Sequence, residues 1–341
     1  MAKVSTEDLR SRFARMQPRR IEYEWRSENT IERLKRHEVW RHEYLRDPYL
    51  LGATDERLAV RLRDVFINFT ELGNNALIGV LPIESSEFPR KFTHLLEEYE
   101  VRCGYPPIDV ISNARSSLLR YFEDGPPVAV KIFDGYQPPQ APFLVKYGRR
   151  EFLEPMLTHG RIRICPASYY SDSGHNAAVR DDEISRTFCF PTYEERLKGL
   201  DHLPVREHRI PIDDDDIILP IIVNDYFLLS LCDDIYYRMP TDFDADSALV
   251  INDRDRFVQR VISAFLLNRP DWKPIFGPVT YYDPYRDYSA YKIPEMAKHF
   301  GYAYQREFRI AFRATRPAKT PLLPEFLEIG PMADFADLLT A

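Results

Sequence analysis

Nine residues, Asp134 to Pro142 (DGYQPPQAP), constrain the fold of this chain more than any other stretch. Pro138, Pro139 and Pro142 remove backbone donors, and with Gly135 they interrupt any helix or strand, so the segment reads as a linker. Before it, apolar residues recur at helical spacing; after it, they gather in short runs suited to strands.

On the N-terminal side, Ser5-Thr6-Glu7-Asp8 has the composition of a helix start. A charged helix is expected over Ile31 to Leu45. Thr54 caps another, along which Leu58, Leu62, Val65, Phe66, Phe69 and Leu72 fall near helical spacing. Phe92, Leu95, Leu96 and Tyr99 mark a further helix ending at Gly104, and Val110 to Phe122 forms one more. Gly125-Pro126-Pro127 closes this region, and Val128–Phe133 reads as a strand.

On the C-terminal side, an apolar strand ends in Lys146-Tyr147, an amphipathic helix closes at Gly160, and a strand follows at Arg161–Cys165. Further strands are expected at Ile217–Val223, Tyr226–Leu231, Ser247–Ile251, Val279–Tyr282 and Glu307–Phe312, with a helix at Arg254–Leu267. The expected fold is α+β: a mainly helical domain over 1–133, the linker 134–142, and a domain over 143–341 with a mixed or antiparallel sheet.

A chain of 341 residues exceeds the usual size of one core, which agrees with two domains. No apolar run reaches the roughly 18 residues of a membrane span. The N-terminus is charged from its start and lacks an apolar signal region. Cysteines at 103, 165, 189 and 232 are too widely spaced for a zinc motif and read as reduced thiols, so a cytoplasmic protein is expected. A net charge of −7 argues against non-specific nucleic-acid binding. The first fifty residues run the other way, with 12 Lys/Arg against 9 Asp/Glu, and read either as a solvated helical arm or as a surface for an acidic partner.

Phe143–Glu183 and Tyr304–Arg309 (YQREFR) concentrate the residues suited to chemistry. Glu307, in an alternating strand, is placed either to stabilise positive charge or to pair with an arginine across the sheet. Ser168, Tyr169 and Tyr170 follow a strand; such tyrosines either stack on a flat ring or pack. Arg180 either clamps a diphosphate through its planar fork or pairs with the acidic residues that follow it. Asp213–Asp216 suits a hard cation only if its carboxylates converge. Walker, GxGxxG and HExxH motifs are all missing, which disfavours kinase, Rossmann dehydrogenase and zincin chemistry.

These residues carry a resemblance. Lys146-Tyr147, the run GRIRICPAS at Gly160–Ser168, RDDE at Arg180–Glu183, the strand YFLLSLCDD at Tyr226–Asp234, DSALVINDRDRF at Asp246–Phe257, and YQREFR resemble a widespread, uncharacterised bacterial family, over roughly residues 143–313. The order of elements is also similar to the split-sheet core of ADP-ribosyltransferases. That resemblance implies NAD as substrate, with Glu307 as the catalytic carboxylate. It places Lys146 and Tyr147 where those enzymes carry a His or Arg for the nicotinamide ribose, and Ser168, Tyr169 and Tyr170 beside the nicotinamide, with Arg180 on the diphosphate. It further implies a toxin or phage-defence effector acting on an unknown macromolecular acceptor, the N-terminal helices being open to a regulatory partner. Two alternatives stand beside it: a non-catalytic nucleotide- or protein-recognition module, and a metal-dependent nuclease using Asp213–Asp216 with Glu183.

Overall fold

The computed structural model describes residues 3–29, 34–81, 87–172, 174, 181–205, 208–212, 216–288, 292–316 and 320–341. The expectations placed on Arg180 and on Asp213 to Asp215 lie outside these residues. The chain divides into two compact units, and the division does not fall at 134–142. The first unit comprises Met1–Thr70, Val80–Leu119 and Thr187–Leu219; the second comprises Glu71–Gly79, Arg120–Arg186 and Pro220–Ala341. The expected linker therefore lies within the second unit, and residues 187–219 return to the first.

The first unit is mainly helical, with α1 (Thr6–Asn29), α2 (Arg36–Arg46), α3 (Asp55–Phe69), α4 (Phe88–Arg102) and α5 (Ile108–Leu119). Ser5 starts α1 by accepting the Asp8 N–H on its Oγ at 3.1 Å, and Thr54 starts α3 by accepting the Arg57 N–H at 3.3 Å. Leu9, Met16, Leu45, Leu51 and Val101 form a core with Tyr193. Glu97 of α4, fully buried, is held by Arg19 at 2.5 and 3.0 Å and by Arg41 at 2.5 Å, so the charge is compensated inside the bundle. The returning segment adds the short helix α8 (Tyr193–Leu197) and an antiparallel pair of short strands, His202–Val205 with His208–Pro211.

The second unit contains α6 (Val128–Ile132), α7 (Arg150–His159), α9 (Met239–Asp242) and α10 (Arg254–Asn268). The strand expected at Val128–Phe133 is thus the helix α6. Its apolar run is too short for periodicity to separate the two states, and burial of Ala129 and Ile132, three apart, matches one helical face. Among the described residues the unit also holds an eight-stranded sheet. In chain order its strands are β1 (Leu144–Gly148), β2 (Arg161–Pro166), β3 (Phe227–Cys232), β4 (Ser247–Ile251), β5 (Trp272–Pro278), β6 (Glu307–Ala314), β7 (Glu325–Glu328) and β8 (Ala336–Thr340).

The spatial order is β5-β6-β3-β1-β4-β8, and all the pairings are antiparallel. The edge of β3 that faces β1 is shared. Cys232 at its end pairs with Val145 of β1, whereas Leu228 and Phe227 at its start pair with Cys165 and Pro166 of β2. The sheet therefore forks at β3, with β2 carrying β7 as its own partner.

One face of the sheet is apolar. Phe227, Leu229 and Leu231 of β3 and Phe308, Ile310 and Phe312 of β6 pack with Leu153 and Met156 of α7 and Phe257 and Phe265 of α10. Phe265 stacks on Phe312 with ring centroids 3.8 Å apart. Because side chains alternate along a strand, Glu307 and Arg309 of β6 and Leu228, Ser230 and Cys232 of β3 belong to the other face. No helix among the described residues is long and apolar enough to cross a membrane. The four cysteines form no disulfide, with Cys103 exposed and the others buried.

Candidate functional site

The polar face of β6 and β3 borders a cavity of about 200 Å³. Its wall includes Lys146 and Tyr147 of β1, Ser230 and Cys232 of β3, Glu307 of β6, and Tyr170, Glu183, Lys298 and Gln305 from the surrounding segments. Leu228, Leu231 and Phe243 supply its apolar part. The volume lies below the roughly 300–1,000 Å³ of sites that enclose a drug-sized ligand. It suits one end of a nucleotide and not a whole dinucleotide.

Glu307 is buried, and each of its carboxylate oxygens has a donor. Oε1 accepts from Ser230 Oγ at 2.5 Å and from Arg309 Nε at 2.7 Å, while Oε2 accepts from Lys298 Nζ at 3.2 Å. Its own N–H donates to the Tyr281 hydroxyl at 2.7 Å. The arginine expected across the sheet is instead Arg309, two residues along the same strand and on the same face; directly across from Glu307 is Cys232.

Arg309, fully buried, organises the cluster. Its Nη1 and Nη2 hold the two oxygens of Glu183 at 2.9 and 2.8 Å, and Nη1 also donates to the Glu295 carbonyl at 2.7 Å. Such a planar fork on a carboxylate is the strong form of ion pair. Arg186 Nη2 adds a contact to Glu183 at 2.8 Å. Lys298 Nζ lies 3.4 Å from Glu183 and 3.5 Å from Asp181, and accepts no competition from solvent, being buried.

The charge states follow from this packing. Burial alone would raise the Glu307 carboxyl, but the cations Arg309 and Lys298 hold it below its usual range. The same opposition, with Arg186 added, holds Glu183 well below the usual range. Asp181 moves the other way: burial and the charge of Glu183 push it above the ordinary carboxylate range, despite Lys298. Lys298 would be lowered by burial, yet its carboxylate neighbours hold it well above a normal lysine.

Lys146 sits where β1 leaves β3, one residue past the Val145–Cys232 pair. Its Nζ donates to the Ser230 carbonyl at 2.8 Å, and burial lowers the pKa of the amine. Tyr147 is buried and its hydroxyl accepts the Tyr236 N–H at 2.9 Å, so it supports the wall more than it faces a ligand. Tyr170 is half-buried on the wall, and burial pushes its phenol upward, leaving it neutral.

The structure therefore brings Lys146, Tyr147, Tyr170 and Glu307 around one cavity. It does not bring Ser168 or Tyr169 to that wall. Ser168 is exposed and bonded to Asp225, with Oγ donating to Oδ2 at 2.7 Å and N–H to Oδ1 at 3.0 Å. Tyr169 packs edge-on against Tyr170 at 5.7 Å with the Arg163 guanidinium 4.8 Å over its ring. The hydroxyl that does lie on the Glu307 carboxylate is that of Ser230, on the neighbouring strand. Ser230 and Gln305 lie within the stretches YFLLSLCDD and YQREFR but carried no assigned role, and Lys298 lies outside both; a lone serine inside the apolar run FLLSLC was a usable signal for Ser230.

For the nuclease alternative, Glu183 is tied to two arginines and a lysine. Asp216, in the first unit, is buried and accepts the Thr192 N–H at 3.4 Å. Among the described residues no group of three or more His, Cys, Asp or Glu converges as a metal site. Comparison with protein families, with curated proteins and with solved structures finds no match to this chain.

Proposed function

We propose that the second unit is an ADP-ribosyltransferase-like enzyme that cleaves the nicotinamide–ribose bond of NAD at the fork of the sheet. The observation that carries this reading is the buried Glu307 on the cavity wall, held by Ser230 from the next strand, by Arg309 and by Lys298. Cleavage passes through an oxocarbenium-like ribose as nicotinamide departs with the bonding electrons. A carboxylate fixed beforehand stabilises that charge without reorganising during the reaction. Ser230 and Arg309 fix Glu307, the neutral Tyr170 offers a face to nicotinamide, and Lys146 reaches the ribosyl oxygens. The remainder of NAD lies outside the cavity, where the acceptor, a macromolecule, also approaches.

A second reading has its own support. Both oxygens of Glu307 already have donors, which suits a recognition module that holds a nucleotide end without cleaving it. Purified chain incubated with NAD, alone and with cell lysate, separates the two. Nicotinamide release that falls at least about 100-fold in Glu307→Gln supports the enzyme. NAD binding without release supports the recognition module.

A further inference from the structure

The two lysines on the cavity wall differ in kind. Lys298 is surrounded by Asp181, Glu183 and Glu307 at 3.5, 3.4 and 3.2 Å and is held as an ammonium ion. Lys146 pairs with no carboxylate among the described residues. Its Nζ makes one hydrogen bond, to the Ser230 carbonyl at 2.8 Å; the cavity wall it shares holds Tyr147, Leu228, Leu231, Cys232 and Phe243 together with Glu307. It is only half-buried, so a ligand in the cavity can reach it. A lysine desolvated against apolar groups loses its proton more easily, and the free amine is a nucleophile. The direction of its shift agrees: burial lowers the amine, against Cys232, Cys165 and Glu307, whose charges act to raise it.

We propose that Lys146 is an imine-forming nucleophile for aldehydes that enter this cavity. In the free protein one N–H points to Ser230, which leaves the nitrogen lone pair for attack. The lone pair adds to the aldehyde carbon, and the carbonyl oxygen takes a proton from the amine to give a carbinolamine. Loss of one water leaves a C=N bond between the ligand carbon and Nζ. The step consumes no oxidant or reductant.

Two sources supply the aldehyde. One is a small free aldehyde. The other is the open-chain end of ADP-ribose, which hydrolytic cleavage of NAD would release beside Lys146; this source rests on the reading above, whereas the first does not. A cavity of about 200 Å³ admits either end.

The full chain is incubated with sodium cyanoborohydride, which reduces imines to stable secondary amines, and in separate arms with propionaldehyde, ADP-ribose or NAD. Modified lysines are then located by peptide mass spectrometry. Lys146 is expected to be modified faster than exposed lysines, since burial lowers its pKa and leaves more free amine at neutral pH. Lys146→Arg is expected to lose this adduct. A pH series on the unaltered protein keeps the test independent of that variant's folding: labelling at Lys146 should reach its plateau at lower pH than labelling elsewhere.

Labelling of Lys146 no faster than that of exposed lysines, in every arm, overturns the proposal. Adducts from propionaldehyde with none from ADP-ribose support the free-aldehyde source. Adducts from ADP-ribose without consumption of NAD support the imine centre and remove the glycosidic reading. NAD consumption that depends on Glu307, with no Lys146 adduct in any arm, does the reverse.

Discussion

Replacing Arg309 with methionine should be among the most damaging single changes in the second unit. The side chain is fully buried, and it donates to Glu183 through both terminal nitrogens and to Glu307 through Nε. Methionine fills similar space but leaves two buried carboxylates short of their main cation. Removing one partner of a buried ion pair costs about 3–5 kcal/mol, a large share of the roughly 5–15 kcal/mol that stabilises a folded domain. For a unit of this size that corresponds to a melting temperature lower by about 6–20 °C. Circular dichroism melts and urea unfolding read it, and Arg309→Met combined with Glu183→Gln should recover part of the loss, because the two residues are coupled. The loss must also depend on pH with a definite sign. Glu183 and Glu307 are lowered in the folded state, so their stabilisation is present above the unfolded carboxylate value of about 4.3 and fades as pH falls through the folded values. Variant and unaltered protein should therefore converge in acid. A penalty under about 1 kcal/mol at neutral pH, or one that grows in acid, would refute the assignment of charges.

Two further changes probe the site and its scaffold. Ser230→Ala removes a 2.5 Å hydrogen bond to Glu307. Bonds to charged groups are worth about 1.5–3 kcal/mol, so nicotinamide release should fall about tenfold to a hundredfold while the fold survives; unchanged turnover would show that Ser230 does not position the carboxylate. Gly160→Ala should lower stability by more than the roughly 1–2 kcal/mol of a left-handed residue. Gly160 ends α7 at φ 70°, and a Cβ there would lie 2.0 Å from the Gly330 carbonyl oxygen. A melting temperature equal to that of the unaltered protein would contradict this packing.

Local patterns made part of this legible. The alternation in YQREFR places Glu307 and Arg309 on one face of a strand, and Gly160 marks the end of a helix that the structure ends there. Partner choice was not local. Nothing near Ser168 or Ser230 says which of their strands lies beside β6, because antiparallel order is set by contacts distant in sequence; Ser230 faces Arg309 across the ladder, and Ser168 lies past the end of β2. Strand β5 went unread because Pro274, Gly277 and Pro278 mimic a loop, yet an edge strand tolerates such residues. The return of residues 187–219 to the first unit has no signal in composition, since boundaries between discontinuous units need not coincide with proline-rich stretches.

The most direct measurement is the structure of the Glu307→Gln variant crystallised with NAD. Nicotinamide is expected in the cavity against Tyr170, its ribose beside residue 307 and Ser230, and the adenylate end outside. NAD bound at another place, or no NAD at saturating concentration, would contradict it.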